Sequence, residues 1–443
     1  MKRFQMHRLA RLSGRLVAAL AVVLMTTGFG SCEQRDVNPV IFVHGGSGSG
    51  GQFESQAMRF TSNGYPHDRI AVLEYDSSSI SDILPDVHAR LDDLIAELQA
   101  QTGRDQVDLL GHSLGTFVSH SYLADPARAA NVAHYVNIDG RTADSPPGGV
   151  PTLALWAGAV NRPSPPEIVG AINVTVPDQE HIEVATSEES FAHIYAFFRD
   201  HAPFTTQILP QLRPAIAGRA TFFPENEGLD GATLEIWKIN GATGERIGHH
   251  PKATYAIGSD GSWGPFNGWY GAHYEFAVLR DGSTDLSYFY EPFIRSDHLV
   301  RLNAAVGLEP YLESSDNHAS ITVLRFKEFW GDRGAENDVL AIDGTDVINP
   351  VTAPSGTVGA ASSAFFLFDV GSDGIDNLTS VPFPFAFLGF LTGADLYIPT
   401  DPPGTVSVMT VPRGDVGATR TVNVPNIPST TGRVVIQLND FEQ

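Results

Sequence analysis

The chain has 443 residues, of which 42% are hydrophobic and 18% charged, and a formal net charge of −23. That length exceeds one ordinary core, so two or three domains are expected, and the composition is that of a folded globular protein. So acidic a chain is repelled by phosphate backbones and anionic bilayers, which argues against nucleic acid as a partner and against membrane binding by charge alone.

Lys2, Arg3, Arg8, Arg11 and Arg15 precede the uninterrupted apolar run Leu16–Met25. A basic stretch followed by ten apolar residues is too short to span a bilayer and reads as a signal peptide over residues 1–31, so export is expected. The only cysteine, Cys32, cannot form an internal disulfide. Phe29-Gly30-Ser31-Cys32 resembles a bacterial lipoprotein cleavage site. That resemblance implies lipidation at Cys32 and membrane attachment through it. The competing expectation is ordinary cleavage near Gly30–Ser31.

From residue 38 to 205 strands and helices alternate. Val40–Val43, Ile70–Leu73, Val107–Leu110, Val132–Ile138, Thr152–Trp156 and Ile172–Val176 are apolar, β-branched runs. Between the second and third, Leu84, Val87, Leu91, Leu94, Ile95 and Leu98 recur at spacings of three and four, a helix stopped by Gly103. A last helix is expected over Ser190–Arg199. The alternation predicts an α/β domain with a mostly parallel sheet covered on both faces, its connections near 140–170 too short or proline-rich for full helices. The character then changes. Residues 207–443 show alternating patterning and turn pairs such as Asn240-Gly241, Asp260-Gly261 and Asp281-Gly282, which predict an all-β barrel or sandwich, subdivided near 330–340.

Gly111-His112-Ser113-Leu114-Gly115 joins a strand to a helix. A G-x-S-x-G motif at such a joint is a nucleophile elbow, with the serine at the apex of a strained turn. Ester hydrolysis by serine further needs a base, an acid to orient it, and donors for the oxyanion. His181 lies between the last strand and the last helix and is the expected base, ahead of His193 and His201. Asp139 ends the strand before Thr152–Trp156 and is the expected acid, with Asp144, Glu167 and Asp178 as competitors. The donors are expected from the Leu114 amide and from Gly46, in the loop His44-Gly45-Gly46-Ser47-Gly48-Ser49-Gly50-Gly51. That loop lacks the lysine of a phosphate-binding loop. No cofactor and no metal is expected. Asp369, Asp373 and Asp376 do not match the EF-hand spacing, and His249-His250 has no neighbouring ligand pattern.

The stretches Val40–Phe60, Asn63-Gly-Tyr-Pro66, Val107–Phe117 and Ile138-Asp-Gly140 resemble the α/β-hydrolase lipase of Archaeoglobus fulgidus. A looser likeness continues through Tyr290–Asp297 and Phe368–Gly374. The resemblance implies an α/β-hydrolase domain followed by a C-terminal β-barrel lipid-binding domain. It implies Ser113, Asp139 and His181 as triad and the amides of Gly46 and Leu114 as oxyanion hole. It would make Trp263, Phe266, Trp269 and Tyr270 part of a binding domain; ordinary β-domain packing is the simpler expectation. One departure stands out: Glu74–Ser79 leads almost directly into the next helix, where that family inserts a lid. The expected activity is therefore a secreted serine carboxylester hydrolase acting on short to medium acyl esters. A polyester depolymerase with the same triad is the alternative, and an inactive hydrolase scaffold serving as a surface-binding lipoprotein is the reading of another class.

Overall fold

The computed structural model describes residues 37–441. The expected signal segment and Cys32 lie outside the described residues. The first half is built on a parallel sheet of β1 (Val40–Val43), β2 (Ile70–Leu73), β3 (Val107–His112), β4 (Val132–Ile138), β5 (Thr152–Ala157) and β6 (Ile172–Val176), in the order β2-β1-β3-β4-β5-β6. Every residue of β1, β3 and β5 is buried, because helices or loops cover both faces of a parallel sheet.

The covering helices are α1 (Glu54–Ser62), α2 (Ile80–Thr102), α3 (Leu114–Leu123), the short α4 (Pro126–Ala129) and α5 (Glu183–Thr186), and α6 (Glu188–Arg199). Along α2, Ile80, Val87, Leu91, Ile95 and Leu98 form the buried stripe, and Gly103 ends it in the left-handed conformation at φ 68°. The helix ends at Thr102, where Gly103 marks the stop, and begins at Ile80, four residues before the first residue of the apolar spacing, Leu84. Among the described residues no α-helix forms between β4 and β5, where only a 3-10 turn at Pro147–Gly149 occurs, or between β5 and β6.

The second half contains β7 (Ala215–Phe222), β8 (Thr233–Lys238), β9 (Ala253–Ala256), β10 (Ser262–Asn267), β11 (Tyr274–Leu279), β12 (Asp285–Tyr290), β13 (Asp297–Ala304) and β14 (Ile321–Arg325). It continues through β15 (Val339–Ile342), β16 (Thr345–Asp346), β17 (Ala364–Phe368), β18 (Leu391–Asp395), β19 (Gly404–Val411), β20 (Arg420–Asn426) and β21 (Gly432–Leu438). Eight of these strands form one mixed sheet, β18-β17-β14-β21-β12-β11-β8-β9, flanked by sheets of three and four strands. β21 lies parallel to both β12 and β14, so one sheet draws strands from both sides of residues 330–340. Asp281-Gly282 turns the β11–β12 hairpin, with Gly282 at φ 74°. Asp260-Gly261 instead joins β9 to β10, whose pairing partners are in different sheets.

The halves are sewn together. Met58, Ile208, Ile294 and Phe441 make a small shared core. Arg301 of β13 reaches Glu74 after β2, whose carboxylate also accepts the Gly50 amide at 3.0 Å. Asn226 donates to the carbonyls of Gly48 and Tyr75 at 2.9 and 3.0 Å. The glycine-rich loop after β1 is thus shaped by residues of the second half.

Candidate active site

Strands β1 and β3 are neighbours in the sheet although β2 separates them in sequence. Their carboxyl ends therefore bring the glycine-rich loop against the turn carrying Ser113. Ser113 has φ 52° and ψ −118°, a conformation that costs a non-glycine residue about 1–3 kcal/mol. The surroundings enforce it. The Ser113 amide donates to the Ile138 carbonyl at 3.0 Å, and Thr116 donates back to the Ser113 carbonyl. A Cβ at Gly115 would sit 2.2 Å from the Val43 carbonyl oxygen, so only glycine lets α3 pack this closely on β1.

Asp139 follows β4 at φ 42°. Its Oδ2 lies 2.6 Å from Nδ1 of His181, which stands in the loop between β6 and α5. A carboxylate only accepts, so Nδ1 carries the proton and Nε2 keeps its lone pair. Nε2 is buried and has no hydrogen-bond partner among the described residues. Ser113 and His181 line the same cavity, with Gly45 and Gly46. The structure thus brings to one cavity a serine on a strained turn and an imidazole hydrogen-bonded to an aspartate. Asp144, Glu167 and Asp178 make no hydrogen bond to a described histidine. His193 lies on α6, and His201, beyond it, packs its ring on Tyr195.

Leu114 opens α3, so its amide has no intrahelical acceptor. Gly46 is beside it: a Cβ built on Gly46 would meet only the Leu114 side chain, at 3.9 Å. Gly46 lines the cavity together with Ser113, and a backbone amide held there meets a developing oxyanion without reorganisation.

Three polar neighbours were not legible in the sequence. Arg162 donates to both Asp139 oxygens, at 2.6 and 2.7 Å, and the Ala157 amide adds a third bond at 2.9 Å. Burial pushes the Asp139 carboxyl up, but His181, the Ala157 amide and Arg162 outweigh it and hold it below the usual carboxylate range. His112, next to Ser113, bridges the Gln52 amide group and the His181 carbonyl at 2.8 Å each. Burial lowers its pKa to about 3, so it stays neutral and acts as a strut. Glu328 binds the loop after His181. The ring of Phe390 stacks on His181 with centroids 5.6 Å apart. An arginine six residues after a strand, or a glutamate in a distant β segment, carries no motif that would announce it.

Beyond Ser113 the cavity runs onto one face of the eight-stranded sheet. Leu286 and Tyr288 of β12, Val435 of β21, Leu324 of β14, Phe366 of β17 and Leu391 of β18 line it. The register agrees: Tyr288 pairs with Val435, Val435 with Thr322, and Thr322 with Phe366, so alternate residues of adjacent strands share that face. Trp263 and Phe266 are core residues, whereas Trp269 and Tyr270 are about half exposed, with Arg213 over the Trp269 ring at 3.7 Å. Asp369, Asp373 and Asp376 each accept a backbone amide, of Gly374, Ile375 and Tyr397 respectively.

Residues 37–124 match the class 2 lipase family model, residues 213–306 a lipase C-terminal domain model, and residues 307–442 a third C-terminal domain model. No match was found among curated proteins. Among solved structures the chain is similar to the lipase BlEst2 of Bacillus licheniformis in propeptide form, at 11% identity over 88% of this chain and 93% of that one, with a TM-score of 0.30. It is similar to a predicted CIB-like hydrolase of Thermoplasma acidophilum at 15% identity, over 38% of this chain and 88% of that one, TM-score 0.28. It is also similar to the phospholipase PlaB of Legionella pneumophila at 10% identity, over 60% of this chain and 93% of that one, TM-score 0.26.

Proposed function

We propose that this protein is an exported serine carboxylester hydrolase, a lipase or esterase acting on acyl esters. The reading is carried by one observation: the His181 imidazole, oriented by Asp139, keeps an unpartnered Nε2 in the cavity that Ser113 lines. His181 takes the Ser113 proton as the hydroxyl oxygen attacks the ester carbonyl. The amides of Gly46 and Leu114 hold the oxyanion. The imidazolium gives its proton to the leaving alcohol, and the acyl group remains on Ser113. Water then enters, loses a proton to His181 and releases the acid. The matches to lipase family models support this choice of substrate class.

The acyl chain has a place on the sheet face lined by Tyr288, Leu324, Phe366 and Val435. Phe390 covers the base, and the second half closes over the cavity. That arrangement suits a single acyl chain better than the face of a polymer. Each methylene buried gains about 0.8 kcal/mol, or roughly fourfold in kcat/KM. In a p-nitrophenyl ester series, kcat/KM should therefore climb with acyl length through the short and medium chains and level off once the chain outgrows that face. A flat series would remove the sheet face as the acyl site, and no turnover with any ester would remove the hydrolase reading itself.

A further inference from the structure

The loop carrying His181 is clasped by a segment of the second half, Phe326–Glu328, that follows β14. Glu328 is fully buried, and its two oxygens accept the amides of Ile182 at 2.5 Å and Glu183 at 3.0 Å. These are the first two amides after His181. Around this pair the clasp is reinforced. Lys327 and Arg413 hold the Glu183 carboxylate at 2.9 and 3.0 Å, and Thr186 donates to the Phe326 carbonyl. Arg325 and Arg413 donate to the backbone carbonyl of Glu328 and not to its carboxylate. No cation is paired with the carboxylate among the described residues.

We propose that Glu328 is a positioning residue for the base: by accepting both amides after His181 it fixes the imidazole against Asp139, and as an anion it favours the imidazolium that forms when Ser113 gives up its proton. The proposal rests on the triad reading above. A carboxylate is the one side chain that can accept two adjacent amides with two oxygens and bring a negative charge with them. The ionised form is the one both amides select. Burial, together with the charge of Glu183, opposes it and lifts the Glu328 carboxyl to about 7 against the pull of the two amides and of His181. The other charged groups facing this corner are Asp139 and Arg162 behind the imidazole, and Asp338 with Arg325 and Arg413 behind the clasp. Glu328 must then lose its proton before the site is competent, a requirement additional to the free imidazole nitrogen that any general base needs.

The test uses the full chain and a dissolved short-chain p-nitrophenyl ester. E328Q keeps the shape but turns one acceptor into a donor facing an amide, and it removes the charge. Its kcat is expected to fall about 10- to 100-fold with KM nearly unchanged, as for a misplaced catalytic group. Its acid limb of kcat/KM should have one-proton steepness, where the parent's exceeds it. E328D, one methylene shorter, should recover part of kcat. K327A, which removes only a bond to Glu183, should leave the steepness of the acid limb as in the parent. E328Q with parental kcat and an unchanged acid limb would overturn the proposal. If E328Q does not fold, E328D decides: phosphonate labelling of Ser113 at the parental rate contradicts the role, and labelling slowed about tenfold or more supports it. A parent that neither turns over nor labels would instead remove the hydrolase reading.

Discussion

Besides Nδ1 of His181, Asp139 accepts three hydrogen bonds, two from one Arg162 nitrogen and one from the Ala157 amide. D139N leaves the shape but cannot hold the Nδ1–H tautomer, so kcat should drop by about 10⁴-fold with KM little changed. A steady-state comparison on a dissolved ester reads this, and a loss under tenfold would deny Asp139 the acid's role. At the elbow, G115A forces a methyl into the Val43 carbonyl. It should destabilise the fold by about 3 kcal/mol or more in urea unfolding, since backbone on both sides cannot yield. Glu328 makes a pH statement as well. Its folded-state pKa of about 7 exceeds its ordinary 4.5. The folded protein therefore binds this proton more tightly than the unfolded chain. The stabilisation it gives is complete below about 4.5 and is lost as pH rises through about 7. Stability of the parent relative to E328Q should accordingly fall between pH about 4.5 and about 8, and a difference that grows over that window would contradict the assignment.

Among the elements, the loop from Val381 to Phe390 differs most from what patterning alone indicates. Its aromatics alternate: Phe385 is buried and stacks on Phe366 at 4.7 Å, while Phe383 is 66% and Phe387 81% exposed. No charged residue occurs from Leu378 to Ala394. Exposed rings grouped on an uncharged loop beside a cavity are costly in water and favoured at an apolar surface. Replacing both with serine should lower the rate on emulsified triacylglycerol about tenfold while leaving dissolved-ester turnover as it was. Equal loss on both substrates would mean that the loop serves folding. The strands of the first half were legible to within two residues: β1, β3 and β5 are buried throughout and so read as apolar runs, while the more exposed edge strands β2 and β6 were marked by their β-branched residues. The second half was legible only as β. Its mixed sheet, with β21 lying between β12 and β14, depends on pairings across more than a hundred residues, and no local pattern encodes them.

For the whole molecule, the sequence reading places nucleophile, base and acid in the first 200 residues, and nothing in it ties the site to the rest. The fold does. Arg301 and Asn226 shape the loop that carries Gly46, Glu328 fixes the loop after His181, and Phe390 lies on its ring. These residues were not legible because each acts through a contact between segments distant in sequence, and none belongs to a motif. Residues 37–205 alone should therefore hydrolyse a dissolved ester at least about 100-fold more slowly than the full chain, even where circular dichroism shows the parallel-sheet half folded. Full activity in that fragment would mean that the second half only binds substrate.

The central claim, a serine made nucleophilic by the His181–Asp139 pair, is tested most directly by a fluorophosphonate followed by peptide mass mapping. One adduct per chain is expected, on the peptide containing Ser113, absent in S113A and formed far more slowly in H181A. An adduct on another residue, or none on a folded protein, would contradict it.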